Sequence, residues 1–301
     1  MTADDSGAGG GILYMVATPI GNLGDITLRA LEILRSVPLI AAEDTRHTHR
    51  LLERHGVSTR MTSYHAQSGA GRARALLEHL RGGADLALVT DAGTPAVSDP
   101  GGELVAAWAG EGGRVVPIPG ASAVLAAVAA SGIVGPRWAF EGFLPRTGRE
   151  RRDRIARIAA DERGTVLFEA PTRVAGTLRD LAGGCGADRP GAVCRELTKL
   201  HESIVRGTLG ELAEAAAAGV GAPTRGIPPR GEFALVVGAW SGGPPASDDD
   251  EAAAIEAAKA EVEALVSAGV ARGAAARRVS TITGLPRRRL YGLNAPRQDV
   301  P

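Results

Sequence analysis

Four short apolar runs govern what this chain can fold into. ILYMVAT (12–18), LIAAED (39–44), DLALVTD (85–91) and RVVPIPG (114–120) are nearly continuous in hydrophobic residues rather than alternating. Around them lie stretches with apolar residues at helical spacing: 27–37, 45–54, 71–81, 101–111 and 121–131. A strand that is apolar at almost every position must be covered on both faces, and strand–helix alternation supplies that cover. The pattern predicts a parallel α/β sheet over 12–135.

The second half is mixed. Strands are expected at 137–146, 164–171, 191–197, 202–209 and 232–240, with helices at 150–160, 173–182 and 209–218. This defines a second α/β unit over 136–240. SGGPPASDDD (241–250) reads as a linker. The module 251–301 reads as a helix over 251–268 followed by a weak helix-turn-helix pattern in 273–293. Residues 1–11, MTADDSGAGGG, have neither the basic stretch nor the apolar run of a signal peptide and read as a disordered tail.

Aromatic residues make up only 3% of the chain, so the cores must be built from Ala, Val, Leu and Ile. Lys+Arg and Asp+Glu number 34 each, which argues against a globally basic coat but leaves room for a local one. Residues 270–297 hold Arg272, Arg277, Arg278, Arg287, Arg288, Arg289 and Arg297 and no acid. That stretch leaves room for a local nucleic-acid face. A second cluster, Arg146, Arg149, Arg151, Arg152, Arg154 and Arg157, is diluted by Glu150 and Asp153. Cys185 and Cys194 match no metal or disulfide spacing, so a reduced cytoplasmic setting with no metal is expected. No apolar run is long enough for a membrane span.

In open parallel sheets ligands bind beyond the carboxyl ends of the strands. Three such ends carry loops of small residues: ATPIGNLGD (17–25), the stretch 91–101, and PIPGASAV (117–124). Gly and Pro let a ligand approach the backbone. Neither a dinucleotide nor a Walker phosphate motif is present. Together the loops predict a crevice for a sizeable small molecule. Asp91 is read either as part of that crevice or as a cap on loop amides. AAEDTRHTH (41–49) is the densest polar run. Glu43 and Asp44 are candidate bases there, or simply helix caps. Arg46 is a candidate phosphate contact. His47 and His49 point apart and make poor metal ligands. Glu169 and Arg173 read as an ion pair at a strand-to-helix turn, with catalysis as the alternative.

TPIGNLGDIT, AAEDTRHT, TDAGTPAVSDPG, PIPGASA and FEGFLPR, extended by FEAPTRV, RELTK and GEFALVVG, resemble the ribosomal RNA small subunit methyltransferase I group of the tetrapyrrole (corrin/porphyrin) methylase superfamily. The resemblance spans roughly 12–240. It implies a class III methyltransferase fold: two α/β domains with S-adenosylmethionine in the cleft between them, plus a small C-terminal helical module. It implies 2′-O-methylation of a cytidine of 16S rRNA in the 30S subunit, near the decoding centre, by a homodimer. The motifs carry the cofactor contacts onto Pro19, Gly93, Thr94, Val97, Ser122 and Ala123, and more loosely onto Ala170 and Leu197. A tetrapyrrole C-methyltransferase and a non-catalytic ribosome assembly factor are the competing expectations.

Overall fold

The computed structural model describes residues 9–219, 226–239, 248–283, 285 and 287–290. Its first sheet holds β1 (Leu13–Val16), β2 (Leu39–Ala42), β3 (Met61–Ser63), β4 (Leu86–Val89) and β5 (Val115–Ile118). All are parallel, in the order β3-β2-β4-β1-β5. The sheet is covered on both faces, as the apolar runs require. Val16, Ile40, Ala42, Ala87 and Val89 pack on one face against α1 (Leu28–Ser36) and α2 (Thr45–Arg54). Leu13, Met15, Ala41, Leu86 and Leu88 pack on the other against α3 (Ala70–Arg81) and α4 (Gly102–Gly110). Each fully buried Leu here contributes about 1.5–3 kcal/mol.

The second sheet holds β6 (Trp138–Phe143), β7 (Gly164–Glu169), β8 (Pro190–Arg195), β9 (Ser203–Thr208) and β10 (Phe233–Val237), in the order β6-β7-β10-β8-β9. β6 and β7 are parallel; the pairs around β10 and β8 are antiparallel. One face packs on α6 (Gly148–Ala160), α7 (Val174–Cys185) and α8 (Leu209–Ala218).

The other face packs on α5 (Ala123–Ser131), the helix that follows β5 of the first sheet. Its sequence, AVLAAVAAS, has no charge anywhere on its circumference, which suits a helix enclosed by protein. Val124 and Ala127 join Val166, Ala192, Cys194, Ala234 and Val236 in one core. That shared core docks the carboxyl rim of the first sheet against the second.

The structure departs from three sequence expectations. β3 has no counterpart among the expected strands, because MTS is a three-residue edge strand with no apolar pattern. Gly11 does not belong to a disordered tail: it is buried, and its amide donates to Leu80 O at 2.7 Å. A Cβ at Gly11 would stand 2.1 Å from Ala84 O. The segment read as a linker also ends early, since α9 (Asp248–Ser267) begins inside 241–250; residues 240–247 lie outside the described residues. α9, α10 (Arg272–Thr283) and α11 (Arg287–Leu290) close around Ala258, Val262, Ala275, Ala276, Val279 and Leu290, and α10 rests against α6.

Candidate active site

The three small-residue loops meet. Beyond β1, the Thr18 amide donates to Gly93 O at 2.8 Å and the Gly93 amide donates back to Thr18 O at 3.0 Å. The Thr18 hydroxyl donates to Thr90 O at 3.1 Å. Gly93 has φ +77°, a conformation open to glycine at little cost. Further along the same loop Ala96 and Ser98 both sit at φ +68°. Each costs about 1–2 kcal/mol, and such strain collects where a loop serves a ligand. Beyond β5, the Gly120 backbone lies so close to β1 that a Cβ would stand 3.0 Å from Ala17 Cβ. Ser122 caps α5 by accepting from Leu125 N at 3.4 Å.

These loops and the second sheet enclose a cavity of about 430 Å³, a size that holds a drug-sized ligand. Seven of the eight residues expected to contact a cofactor line it: Gly93, Thr94, Val97, Ser122, Ala123, Ala170 and Leu197. The eighth, Pro19, is not among the lining residues; its neighbour Ile20 is. Phe143 and Phe168, with ring centroids 5.7 Å apart, form part of the wall opposite the loops. The Leu197 loop is strained as well, with Glu196 at φ +52° and Thr198 at φ +68°.

Asp99, which the sequence marks only as the acid at the end of a small-residue loop, lines this cavity. Burial, together with the negative charge of Glu43 and a smaller effect from Asp91, pushes its carboxyl up to about 6, against a lesser opposing effect of the Thr90 hydroxyl. Glu43 is also raised, chiefly by burial. Asp91 Oδ1 accepts from Asp44 N at 3.0 Å, and the Asp91 amide donates to Glu43 Oε2 at 3.3 Å. Asp91 therefore ties the ends of β2 and β4 together, a different bond from the loop-amide cap that its sequence position suggests.

Asp44 is unsuited to act as a base. Its carboxylate caps α2 by accepting from Arg46 N at 2.8 Å and pairs with the Arg46 guanidinium, which holds it far below the usual carboxylate range. Arg46 stays 90% exposed while making that pair. His47 and His49 are carried on α2, and no group of three or more His, Cys, Asp or Glu among the described residues is placed to hold a metal ion.

Glu169 and Arg173 form the expected ion pair, at 3.2 Å. The Glu169 side chain is fully buried and also accepts from the Thr177 hydroxyl at 2.6 Å and the Ala170 amide at 2.8 Å. Arg173 donates to Leu144 O at 2.7 Å. The cluster fixes the Ala170 wall and the end of β6 rather than presenting a free group.

The described C-terminal arginines lie largely at the surface. Arg277 and Arg278 on α10 and Arg287 and Arg289 on α11 are exposed, and Arg288 also belongs to α11. Arg272 is engaged by Glu263, and Arg297 lies outside the described residues. In the second cluster Arg151 is buried, donating to Asp180, Thr177 and Pro145 O, and Arg154 pairs with Glu141. Those two are structural, so that cluster is a weaker basic face than its sequence implies. Among the described residues no helix is long and apolar enough to cross a membrane.

Residues 12–213 match the profile of the tetrapyrrole (corrin/porphyrin) methylases. The chain is 46% identical over 284 residues to a Synechocystis protein named ribosomal RNA small subunit methyltransferase I, covering 94% of this chain and 97% of that one. A protein of the same name from Bacillus subtilis is 39% identical, covering 93% of each. Among solved structures, cobalt precorrin-4 methyltransferase matches with a TM-score of 0.56 at 21% identity over 75% of this chain and 94% of that one. Uroporphyrin-III C-methyltransferase from Thermus thermophilus, complexed with S-adenosylhomocysteine, matches with a TM-score of 0.52 at 20% identity over 75% and 97%. These two likenesses concern the fold.

Proposed function

The chain belongs to the ribosomal RNA small subunit methyltransferase I family of the tetrapyrrole (corrin/porphyrin) methylases, and from that premise we propose that it methylates the 2′-oxygen of a cytidine ribose in 16S rRNA, using S-adenosylmethionine. The observation that carries the reading is the cavity between the two sheets, with Asp99 on its wall. The 30S subunit near the decoding centre is the proposed substrate, the homodimer the proposed assembly and the cytoplasm the proposed setting.

The residues present suit the cofactor. Gly93 and Ala123 leave backbone bare of bulky side chains, Phe143 and Phe168 offer apolar rings to a flat base, and Ser122 and Thr94 offer hydroxyls. S-adenosylmethionine held there supplies a methyl group on a positively charged sulfur. The protein's part is to hold the ribose oxygen in line with that methyl, about 3–3.5 Å away, and to take its proton.

Asp99 is the proposed proton acceptor. A carboxyl at about 6 is mostly ionised at neutral pH yet more basic than an ordinary aspartate, which is what a general base for a weakly acidic hydroxyl requires. Glu43 and Asp91 sustain that basicity through their charge. Arg46 and the exposed arginines of α10 and α11 are proposed phosphate contacts.

The test is transfer of labelled methyl from S-adenosylmethionine to 30S subunits lacking the modification, with the product mapped at ribose level. Label on one cytidine 2′-oxygen supports the reading. Label on a reduced tetrapyrrole instead, or cofactor binding without any RNA labelling, overturns it.

A further inference from the structure

A second cavity, a surface cleft of about 500 Å³ open to solvent, lies at the end of β3. Ser63, His65, Gln67, Ser68 and Arg72 line it together with glycine backbone, and no carboxylate does. Its polar groups are held in place. The Arg72 guanidinium donates to the Thr62 hydroxyl at 3.1 Å. Ser68 Oγ accepts from His65 N at 2.8 Å. His65 Nδ1 accepts from Gln67 N at 3.2 Å, so the imidazole presents Nε2–H as a donor. Arginine and histidine donors with no acid among them suit a phosphate group.

The place of this cavity gives it meaning. β3, β2 and β4 are parallel neighbours, so their carboxyl ends form one rim. The carboxyl ends of β3, beside this cavity, and of β4, which leads into the Asp99 loop, are two strand spacings apart, about 10 Å. Between them, just after β2, stands Glu43, whose Oε2 accepts from the Asp91 amide. The rim at this point carries Glu43, Asp91 and Asp99, a concentration of acid that repels an RNA backbone, while Asp44 is already paired with Arg46. A substrate chain reaching Asp99 therefore needs a cationic anchor beside the acids.

We propose that the β3 cavity binds a backbone phosphate of the RNA substrate next to the methylated nucleotide, with Arg72 and His65 as its donors. The inference rests on the RNA-methylating reading above. The site fixes the direction in which the strand crosses the rim and offsets the repulsion of the three carboxylates without a cationic partner there. It contributes to RNA affinity and leaves cofactor binding untouched, because none of its residues lines the first cavity.

The test compares Arg72→Ala and Gly71→Glu with the wild-type chain in binding to 30S subunits over a range of salt concentrations. Gly71 is a sound position to load: a Cβ there meets nothing within 4 Å, and replacing a helical glycine favours the helix. Gly71→Gln is the control of equal size without the charge. Expected are RNA affinities about tenfold weaker for Arg72→Ala and Gly71→Glu, a salt slope smaller by about 0.7–0.9 for Arg72→Ala, and unchanged cofactor affinity. Gly71→Gln should bind more tightly than Gly71→Glu. Unchanged affinity and slope in both charge-altering variants overturn the proposal, whether or not methyl is transferred. Equal displacement of wild-type and Arg72→Ala chains by inorganic phosphate at constant ionic strength also overturns it. A wild-type chain that binds the subunit but never labels it overturns the reading of function, and the binding comparison still decides the cavity.

Discussion

The amide of Asp44 donates to Asp91 Oδ1 at 3.0 Å, joining the residue after β2 to the loop after β4. Asp91 in turn donates its own amide to Glu43. Two backbone amides thus face carboxylates at a rim where Asp99 is also held, and the site's chemistry follows from which acids are tied down this way and which are not.

Asp99→Asn should lower the rate of methyl transfer by about 10²–10⁴-fold, the usual contribution of a general base, with little change in cofactor affinity. Wild-type single-turnover rates should rise with pH through about 6 and then level. A variant profile that keeps the same inflection would remove Asp99 from the role.

The same carboxyl makes a stability prediction. Its folded value, about 6, stands above the ordinary 3.8, so the folded state holds a proton more tightly than the unfolded chain. That stabilisation is complete below about pH 4 and is lost as the pH rises through about 6. Asp99→Asn should therefore be more stable than wild type at pH 8, by of order 1 kcal/mol once solvent screening of a half-exposed group is allowed for. The difference should vanish below about pH 4, as denaturant unfolding at several pH values will read.

Asp44→Ala removes the cap of α2 and should lower the melting temperature, while Asp44→Asn, which can still cap, should largely restore it. Both should transfer methyl far faster than Asp99→Asn. A rate for Asp44→Asn as low as that of Asp99→Asn would assign Asp44 the chemistry its ion pair with Arg46 argues against.

Glu169→Ala leaves Arg173 without its carboxylate and the Thr177 and Ala170 donors without an acceptor. It should cost about 3 kcal/mol. The wall at Ala170 loosens with it, so the cofactor dissociation constant should rise as well; calorimetry and denaturant unfolding measure the two separately.

Exchanging Arg278 and Arg287 for Ala should reduce the salt slope of 30S binding by about 0.7–0.9 for each phosphate that the protein no longer neutralises. Cofactor affinity, set some way off between the two sheets, should not move. An unchanged slope would take these residues out of the RNA interface.

The amino-acid sequence by itself determined the parallel sheet and the crevice. A strand such as LALV cannot face water on either side, so β1, β2 and β4 were legible as covered strands and β5 as a member of the same sheet, and Gly, Pro and Ser beyond three of them marked the loops that line the cavity. β3 was not legible, because a three-residue edge strand borrows its hydrogen bonds from β2 and needs no apolar pattern of its own. Nor could sequence rank the acids. Asp44 and Glu43 are adjacent in the chain, yet one is exposed and paired with Arg46 while the other is half-buried and raised. Asp99, far along the chain, joins them only because β2 and β4 are neighbours. A carboxyl's basicity depends on the water and charge around it, and those are set when distant segments meet; the tertiary structure alone decided that, of Glu43, Asp44, Asp91 and Asp99, it is Asp99 that lines the cavity.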